Sequence, residues 1–353
     1  MAQKNTFTAP SLKEAKQLYE AAVGVKELAP WDWMDESDIF SVQNPETGEL
    51  GFVSIMGMAG EHFAIGLYQG AEGLYGFWDL ESEGFMANPQ QLLEIPQLQA
   101  SFENRDLLNK QDRDTIKKLG LKFRGAHSWP MFRSYRPGFM PWFVSAEEAR
   151  FLTQALVQTL EVAPRVRDDP DLLTSGSEED DETYLVRVPR QQKGSREWED
   201  QKQRVPRPLP ARLPVKLDFE ALGQLKQLPQ RDFDLEVDLM GMPTPIGEKG
   251  ERPFLPYMLM LGDARSGAII GFELLKVDNS LAELWGQIPT ELAHKLAQAG
   301  LVPREIRVRS ELLLELLGPL AKTLNIELRQ SEYLPSIDEA MDSMFSWMMN
   351  GGF

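Results

Sequence analysis

Apolar positions recur with two spacings along this chain, and the spacing switches often enough to mark a mixed fold. Near the N-terminus Leu12, Ala15, Leu18 and Ala22 follow helical spacing. Ser11 precedes them with Glu14 three residues on, a capping box that satisfies the free amides of a helix start. "DIFSVQNPETGELGFVSIMG" reads as two strands around a turn at Asn44–Gly48, where Pro45 and Gly48 supply fixed and positive φ. "EHFAIGLYQG" predicts a third strand, running into a helix near "AEGLYGFWDLES". "IPQLQASFEN", "LKFRG" and "PMFRSYRPG" predict further strands around the short helix "DRDTIKKLG". "VSAEEARFLTQALVQTLEV" predicts a closing helix with a second capping box, Ser145 with Glu148. The sum is an α+β domain over residues 1–162 with a mostly antiparallel sheet.

From 163 to 214 the apolar pattern lapses. "RDDPDLLTSGSEEDDE" and "PRQQKGSREWEDQKQRVPRPLPARLP" carry charge runs and repeated prolines, which predict a flexible, charged linker. Within it only "TYLVRVPR" has the composition of a strand, an added edge strand at most.

Patterning returns over residues 215–353. "FDLEVDLM" alternates strictly, with Phe233, Leu235, Val237 and Leu239 apolar and three acids between them. "PYMLMLGD" and "GAIIGFELL" predict a hairpin, and "LAELWGQIPTELAHKLAQAG" a helix begun again or kinked at Pro289 and stopped at Gly300. "REIRVRS" predicts a strand, "ELLLELLGPLAKTLN" a helix interrupted near Gly318-Pro319, "IELRQS" a strand and "SIDEAMDSMFSWMM" a last helix. That helix carries a stripe of Ile337, Ala340, Met341, Met344, Phe345 and Met348, read as a core-facing side.

"PWDWMDESDIFSVQNPETGELGFVSIMG", "FRSYRPGFMPWFVSAEEA" and "SEYLPSIDEAMDSM" resemble a bacterial protein family catalogued only as of unknown function. The C-terminal order of strands and helices, βββαβαβα, together with Asp263 and its Ser-Gly turn, "LVPREIRV" and "LNIEL", resembles the ribonuclease H-like fold of integrases and transposases. That resemblance implies carboxylates on the first strand, at the end of the fourth strand and on the last helix, holding two divalent metals about 4 Å apart for phosphodiester cleavage. By position the first is Asp238, with Asp234 or Glu236 as alternatives, and the last is Asp338, Glu339 or Asp342. At the fourth-strand end the chain departs from the pattern: it has Arg309 and Ser310, a cation that repels Mg²⁺ and a natural N-cap. Glu311 is one residue further, in the next helix. The three acids of "DLEVD" fit a solvated strand face, and Ser336 with Glu339 in "SIDE" fits a capping box.

Composition narrows the chemistry further. The chain has no cysteine, which excludes disulfides, thiolate zinc sites and cysteine nucleophiles. His62, His127 and His294 are scattered, without a ligand spacing. Phosphate-binding glycine loops and GxSxG elbows are missing. No apolar run spans a bilayer and no secretory leader is apparent, so the expected location is cytoplasmic, without membrane association. A net charge of −17 disfavours nucleic acid. Two sharper motifs remain. Trp31 and Trp33 stand beside Asp32, Asp35, Glu36 and Asp38, as in a carbohydrate or cation site or as core anchors in a connection. Arg124, Arg133 and Arg136 interleave with Trp129, Phe132, Tyr135 and Trp142, as in a single-strand nucleic-acid site or an ordinary strand whose arginines pair with acids.

The reading is a two-domain, non-catalytic cytoplasmic protein without cofactor or metal, acting on an unidentified protein partner. The rivals are a metal-dependent nuclease using Asp238, Glu311 and Asp338 with Mg²⁺ or Mn²⁺, and a nucleic-acid-binding adaptor.

Overall fold

Helical spacing at the N-terminus becomes α1, Leu12–Leu28, in the computed structural model. The structure describes residues 7–83, 91–173, 182–192, 195–209, 213–248, 250–278 and 280–349. Both halves of the first capping box form: Ser11 Oγ accepts from Glu14 N at 3.3 Å, and Glu14 accepts from Ser11 N at 2.8 Å. The chain divides into two compact units, one of Met1–Pro137 and Pro141–Leu209 and a second of Gly138–Met140 and Pro210–Phe353.

The first unit's strands are β1 (Phe40–Gln43), β2 (Leu50–Met56), β3 (Ala64–Gln69), β4 (Gln97–Glu103), β5 (Trp129–Tyr135), β6 (Thr183–Gln192) and β7 (Ser195–Arg204). They form one sheet in the order β5-β4-β3-β2-β1-β6-β7, antiparallel except where β1 meets β6. α1 and the long α4 (Ala146–Asp168) belong to the larger core, with Leu18, Phe40, Val53, Leu67, Leu98 and Leu152 fully buried. A smaller core joins Phe52, Tyr68 and Tyr184 to α2 (Gly70–Glu83). α3 (Lys110–Lys118) lies between β4 and β5 in the chain.

Two expectations fail here. "LKFRG" forms no strand. The segment expected to be a flexible linker instead contains the end of α4 and the whole β6–β7 hairpin. The physical reason is pairing: its charges are partners, not a solvated run. Arg190 meets Glu199, Arg204 meets Glu182, and Arg187 meets Asp200 across the hairpin, while Leu185 and Val186 are buried. Opposite charges facing each other across a ladder support a strand pair. The acidic stretch at 174–181 lies outside the described residues.

The second unit holds α5 (Phe219–Leu225), β8 (Gln230–Gly241), β9 (Tyr257–Asp263), β10 (Ile269–Leu275), α6 (Leu281–Ala299), β11 (Val302–Val308), α7 (Glu311–Leu324), β12 (Glu327–Gln330) and α8 (Pro335–Met349). Its sheet runs β10-β9-β8-β11-β12, with the first three antiparallel and β8, β11 and β12 parallel. α6 runs continuously through Pro289, so no new segment begins there, and α7 runs through Pro319 without the expected interruption.

Strand alternation gives this sheet two unlike faces. Leu235, Val237, Leu259, Leu261, Ile306 and Val308 share one aliphatic core with α5, α6 and α7. Each such fully buried side chain contributes roughly 1.5–3 kcal/mol. The opposite face carries Met258 and Met260 against Leu334 and Ile337 of the α8 region, and beside them the charged residues of β8 and β11. Of the expected α8 stripe, Ile337, Ala340, Met341 and Met344 pack there; the side chains of Phe345 and Met348 lie outside the described ones.

The described chain is therefore a mixed α+β protein with two sheets. Among the described residues no helix is long and apolar enough to cross a membrane.

Candidate functional site

β8 sends Asp234, Glu236 and Asp238 to the face that α8 covers, because successive strand residues alternate sides. β11 runs parallel beside it, pairing Glu305 with Asp234 and Arg307 with Glu236. Arg309, just past the last residue of β11, falls next in that row. Its guanidinium is the centre of the site: Nε donates to Asp238 at 2.9 Å, Nη2 donates to Asp338 of α8, and Nη1 donates to the Glu332 carbonyl at 2.7 Å. Gln330 donates to the Arg309 carbonyl at 3.1 Å and so steadies the arginine backbone. Two carboxylates from a strand and a helix thus close on one planar cation, a geometry that suits arginine's fork of N–H donors.

The remaining lone pairs are also used. Asp238 accepts from Leu239 N at 3.0 Å, and Asp338 reaches back to accept from Leu334 N at 3.2 Å. Burial alone would draw the Arg309 guanidinium down, but its hydrogen bonds to Asp238 and Asp338 outweigh this and hold it above the usual arginine range. An arginine stays protonated at any physiological pH, so this internal cation does not titrate away.

Glu236 corrects the expectation of a solvated acid face. It is 0% exposed and Asp238 only 8%. Glu236 sits at the start of α8, accepting from Ser336 N at 2.9 Å, from Ser336 Oγ and from Ile337 N at 3.4 Å. An anion there faces the positive end of the helix dipole. Ser336 is thereby committed to Glu236, and the expected Ser336–Glu339 capping box gives way to this tie across 100 residues. Close packing is needed: a Cβ on Gly262 would stand 2.9 Å from Ser336 Oγ. Asp234 belongs to a separate cluster, accepting from Arg304 at 2.8 Å and Arg307 at 2.7 Å. The Arg304 hydrogen bond leads in holding the Asp234 carboxyl below the usual aspartate range.

The other candidates are not gathered here. Glu311 is exposed in the first turn of α7, capped by Ser310, which accepts from Leu313 N at 3.2 Å. Glu339 and Asp342 are exposed. Asp263 shapes its own turn, accepting from Arg265 N at 3.0 Å and from Ser266 Oγ. His294 pairs with Asp218 at 2.8 Å, and His62 stands 3.9 Å from Glu103. Among the described residues no group of three or more His, Cys, Asp or Glu is placed to hold a metal ion.

In the first unit the tryptophan motif takes its structural role. Trp31 is buried, and the Trp33 indole donates to Ala163 O at 2.9 Å. The cation over Trp31 is the chain's own Lys26, 5.0 Å from the ring centroid. In the basic–aromatic strip, Arg133 is committed to Asp112 through bonds of 3.0 and 2.7 Å.

Glu236 and the Asp338–Asp238 link were not resolvable from sequence, because strand register and helix placement decide them. Arg309 at the fourth-strand end was the one signal present.

Residues 16–187 match a family described as a domain of unknown function (DUF7309), and residues 221–345 match another, domain of unknown function (DUF6930). No curated protein matches the chain. One match precedes the other along this two-domain α+β chain, so its N-terminal part is similar to one family of unknown function and its C-terminal part to another.

Proposed function

We propose that the second domain is a ribonuclease H-like scaffold without its metal chemistry, and that the chain works in the cytoplasm as a non-catalytic protein acting through protein–protein contacts. The observation that carries this reading is the Arg309 guanidinium between Asp238 and Asp338. Two-metal cleavage needs carboxylate oxygens shared between cations to offset the repulsion of the metals. Here those oxygens already hold a cation that cannot accept a phosphate oxygen into a coordination sphere, activate water or leave. The strand–helix order and the three-plus-two arrangement of the sheet support the fold assignment.

A role through contacts is supported by β10. It is the last strand of its sheet, and it exposes Phe272 (57%) and Leu274 beside Ile269. Bare apolar edge strands are normally blunted by charge or proline, because they invite further pairing.

The test is calorimetric titration of Mn²⁺ into the full chain, with nicking assays on DNA and RNA in Mg²⁺ and Mn²⁺ beside Asp238→Ala. The expected result is no saturable metal binding and no cleavage above that of the variant. Micromolar binding, with cleavage lost in Asp238→Ala, would establish the nuclease reading instead.

A further inference from the structure

One corner of the first unit runs against the charge of the whole chain. α3 and the loop after it carry Lys110, Arg113, Lys117, Lys118, Lys122 and Arg124, all exposed, in a protein of net charge −17. Among the described residues none of these six has an ion pair, whereas Arg187, Arg190, Arg204, Arg304, Arg307 and Arg329 are all paired. The fold makes the corner one surface. Ile116 of α3 is buried in the larger core. Asp112 turns inward, accepting from Asn109 N at 3.1 Å and from Arg133 at 3.0 and 2.7 Å, so it neutralises nothing outside. Leu121 N donates to Ile116 O at 3.1 Å, and His127 N to Asn104 Oδ1 at 3.1 Å, which folds the loop back against the segment preceding α3. Helical spacing then leaves Lys110, Asp114, Lys117 and Lys118 on the outer face.

The helix's own needs do not account for this charge. The dipole favours Lys117 and Lys118 in the last turn, but it disfavours Lys110 in the first and does not reach Lys122 or Arg124. Asp106 and Asp114 are the exposed acids between Asn104 and Ser128, too few to balance the six cations. Cations grouped in this way repel one another, and an anion brought among them is attracted by all of them.

We infer that this corner, in a chain taken to act through protein–protein contacts, docks a short acidic segment of a partner protein, whose Asp and Glu carboxylates meet the outer face of α3 and the loop after it. Two observations favour a peptide over nucleic acid. A single strand binds by stacking its bases on bare rings, and here the rings are taken. Arg105 lies over Trp129 at 5.8 Å, Phe123 packs on Trp129 at 5.9 Å, and Tyr19 stacks with Phe123 at 6.3 Å. The nine residues of α3 span about 14 Å. A polyphosphate would carry its charge beyond that span, over a protein whose net charge of −17 repels it. A short acidic peptide ends with the patch.

The experiment follows the fluorescence anisotropy of fluorescein-labelled Gly-Glu-Asp-Glu-Asp-Glu-Asp-amide as the full chain is added at about 50 mM salt, where screening is weak. A labelled oligothymidine of matching charge is titrated beside it. The expected result is saturable binding of the peptide with Kd below about 100 μM, and at least about tenfold weaker binding of the oligothymidine. Lys110→Gln/Lys117→Gln and Lys122→Gln/Arg124→Gln, all at exposed positions, each weaken peptide binding about threefold or more. Lys226→Gln/Lys322→Gln, a control pair of exposed lysines in the second unit, leaves it unchanged. Absence of saturable peptide binding overturns the inference, while the metal titration and nicking assays still decide the non-catalytic reading on their own. Oligothymidine bound as tightly as the peptide overturns it in favour of a nucleic-acid surface. Equal weakening by the control pair overturns it too, since any surface lysine would then serve.

Discussion

The two acidic clusters of this protein both gather carboxylates and are balanced in opposite ways. On the second sheet, Asp238 and Asp338 close around Arg309, and Glu236 leans on the start of α8. In the first unit, neither Glu36 nor Glu81 has an ion pair among the described residues, and after burial their charges push the Tyr68 phenol up. The first arrangement has its counter-charge within the fold, although one Glu236 oxygen is buried without a described hydrogen-bond partner, and is best read as a fastening for α8. In the second, among the described residues, the chain supplies no such cation. Counting acids would not separate them; what separates them is whether the chain supplies the counter-charge.

The contrast predicts opposite responses to neutralising a carboxylate. The largest effect is expected at Glu236→Ala, which removes the direct hydrogen bonds between β8 and the first turn of α8 and leaves a cavity under a buried position. A loss of about 3 kcal/mol in urea unfolding is the expected outcome. A loss under about 0.5 kcal/mol, the level of an ordinary surface change, would mean that α8 is held by its apolar contacts and the Arg309 link without Glu236.

In the first unit the sign reverses. Glu81→Gln removes like-charge repulsion in a cluster without a cation, so stability stays level or rises by roughly a few tenths of a kcal/mol, the effect being small because the site is solvent-screened. A clear loss of stability would reveal an internal partner for Glu81 and erase the contrast.

The smallest effect lies in the titrations. Glu81, with its carboxyl raised in the folded state, contributes stability that is present below its unfolded value and fades as pH rises through the folded one. Asp234, held down by Arg304, works the other way: its contribution is present above the unfolded value and fades as pH falls through the folded one. Carboxyl carbon NMR should show Glu81 protonating before Asp234 on acidification. The reverse order would break the comparison at its electrostatic root.

Sequence reading reached the element order and the odd cation of "IRVRSELL", since local periodicity and one misplaced charge suffice for both. It could not reach the closure of Asp338 on Arg309, which depends on where a short loop returns α8 across the sheet. The β6–β7 hairpin was misread because alternating charges look alike in a solvated run and in a paired ladder until a partner strand faces them. Glu236 looked like one of three solvated acids for a similar reason: its burial comes from α8, 100 residues away. Gln97 and Tyr68 stand opposite each other only through the register of two strands, β3 and β4, and no spacing along the chain announces it.

The central claim, that Arg309 is the resident cation of Asp238, is tested most directly by a double-mutant cycle read by urea unfolding. Arg309→Met leaves Asp238 nearly buried without its counter-charge, and Asp238→Asn leaves the arginine with Asp338 alone. Because the Arg309 side chain is 39% exposed, the cost of breaking a fully buried pair is reduced. A coupling of about 1–2 kcal/mol between the two positions is the predicted result. Additive effects, with the double variant losing the sum of the singles within about 0.3 kcal/mol, would contradict it.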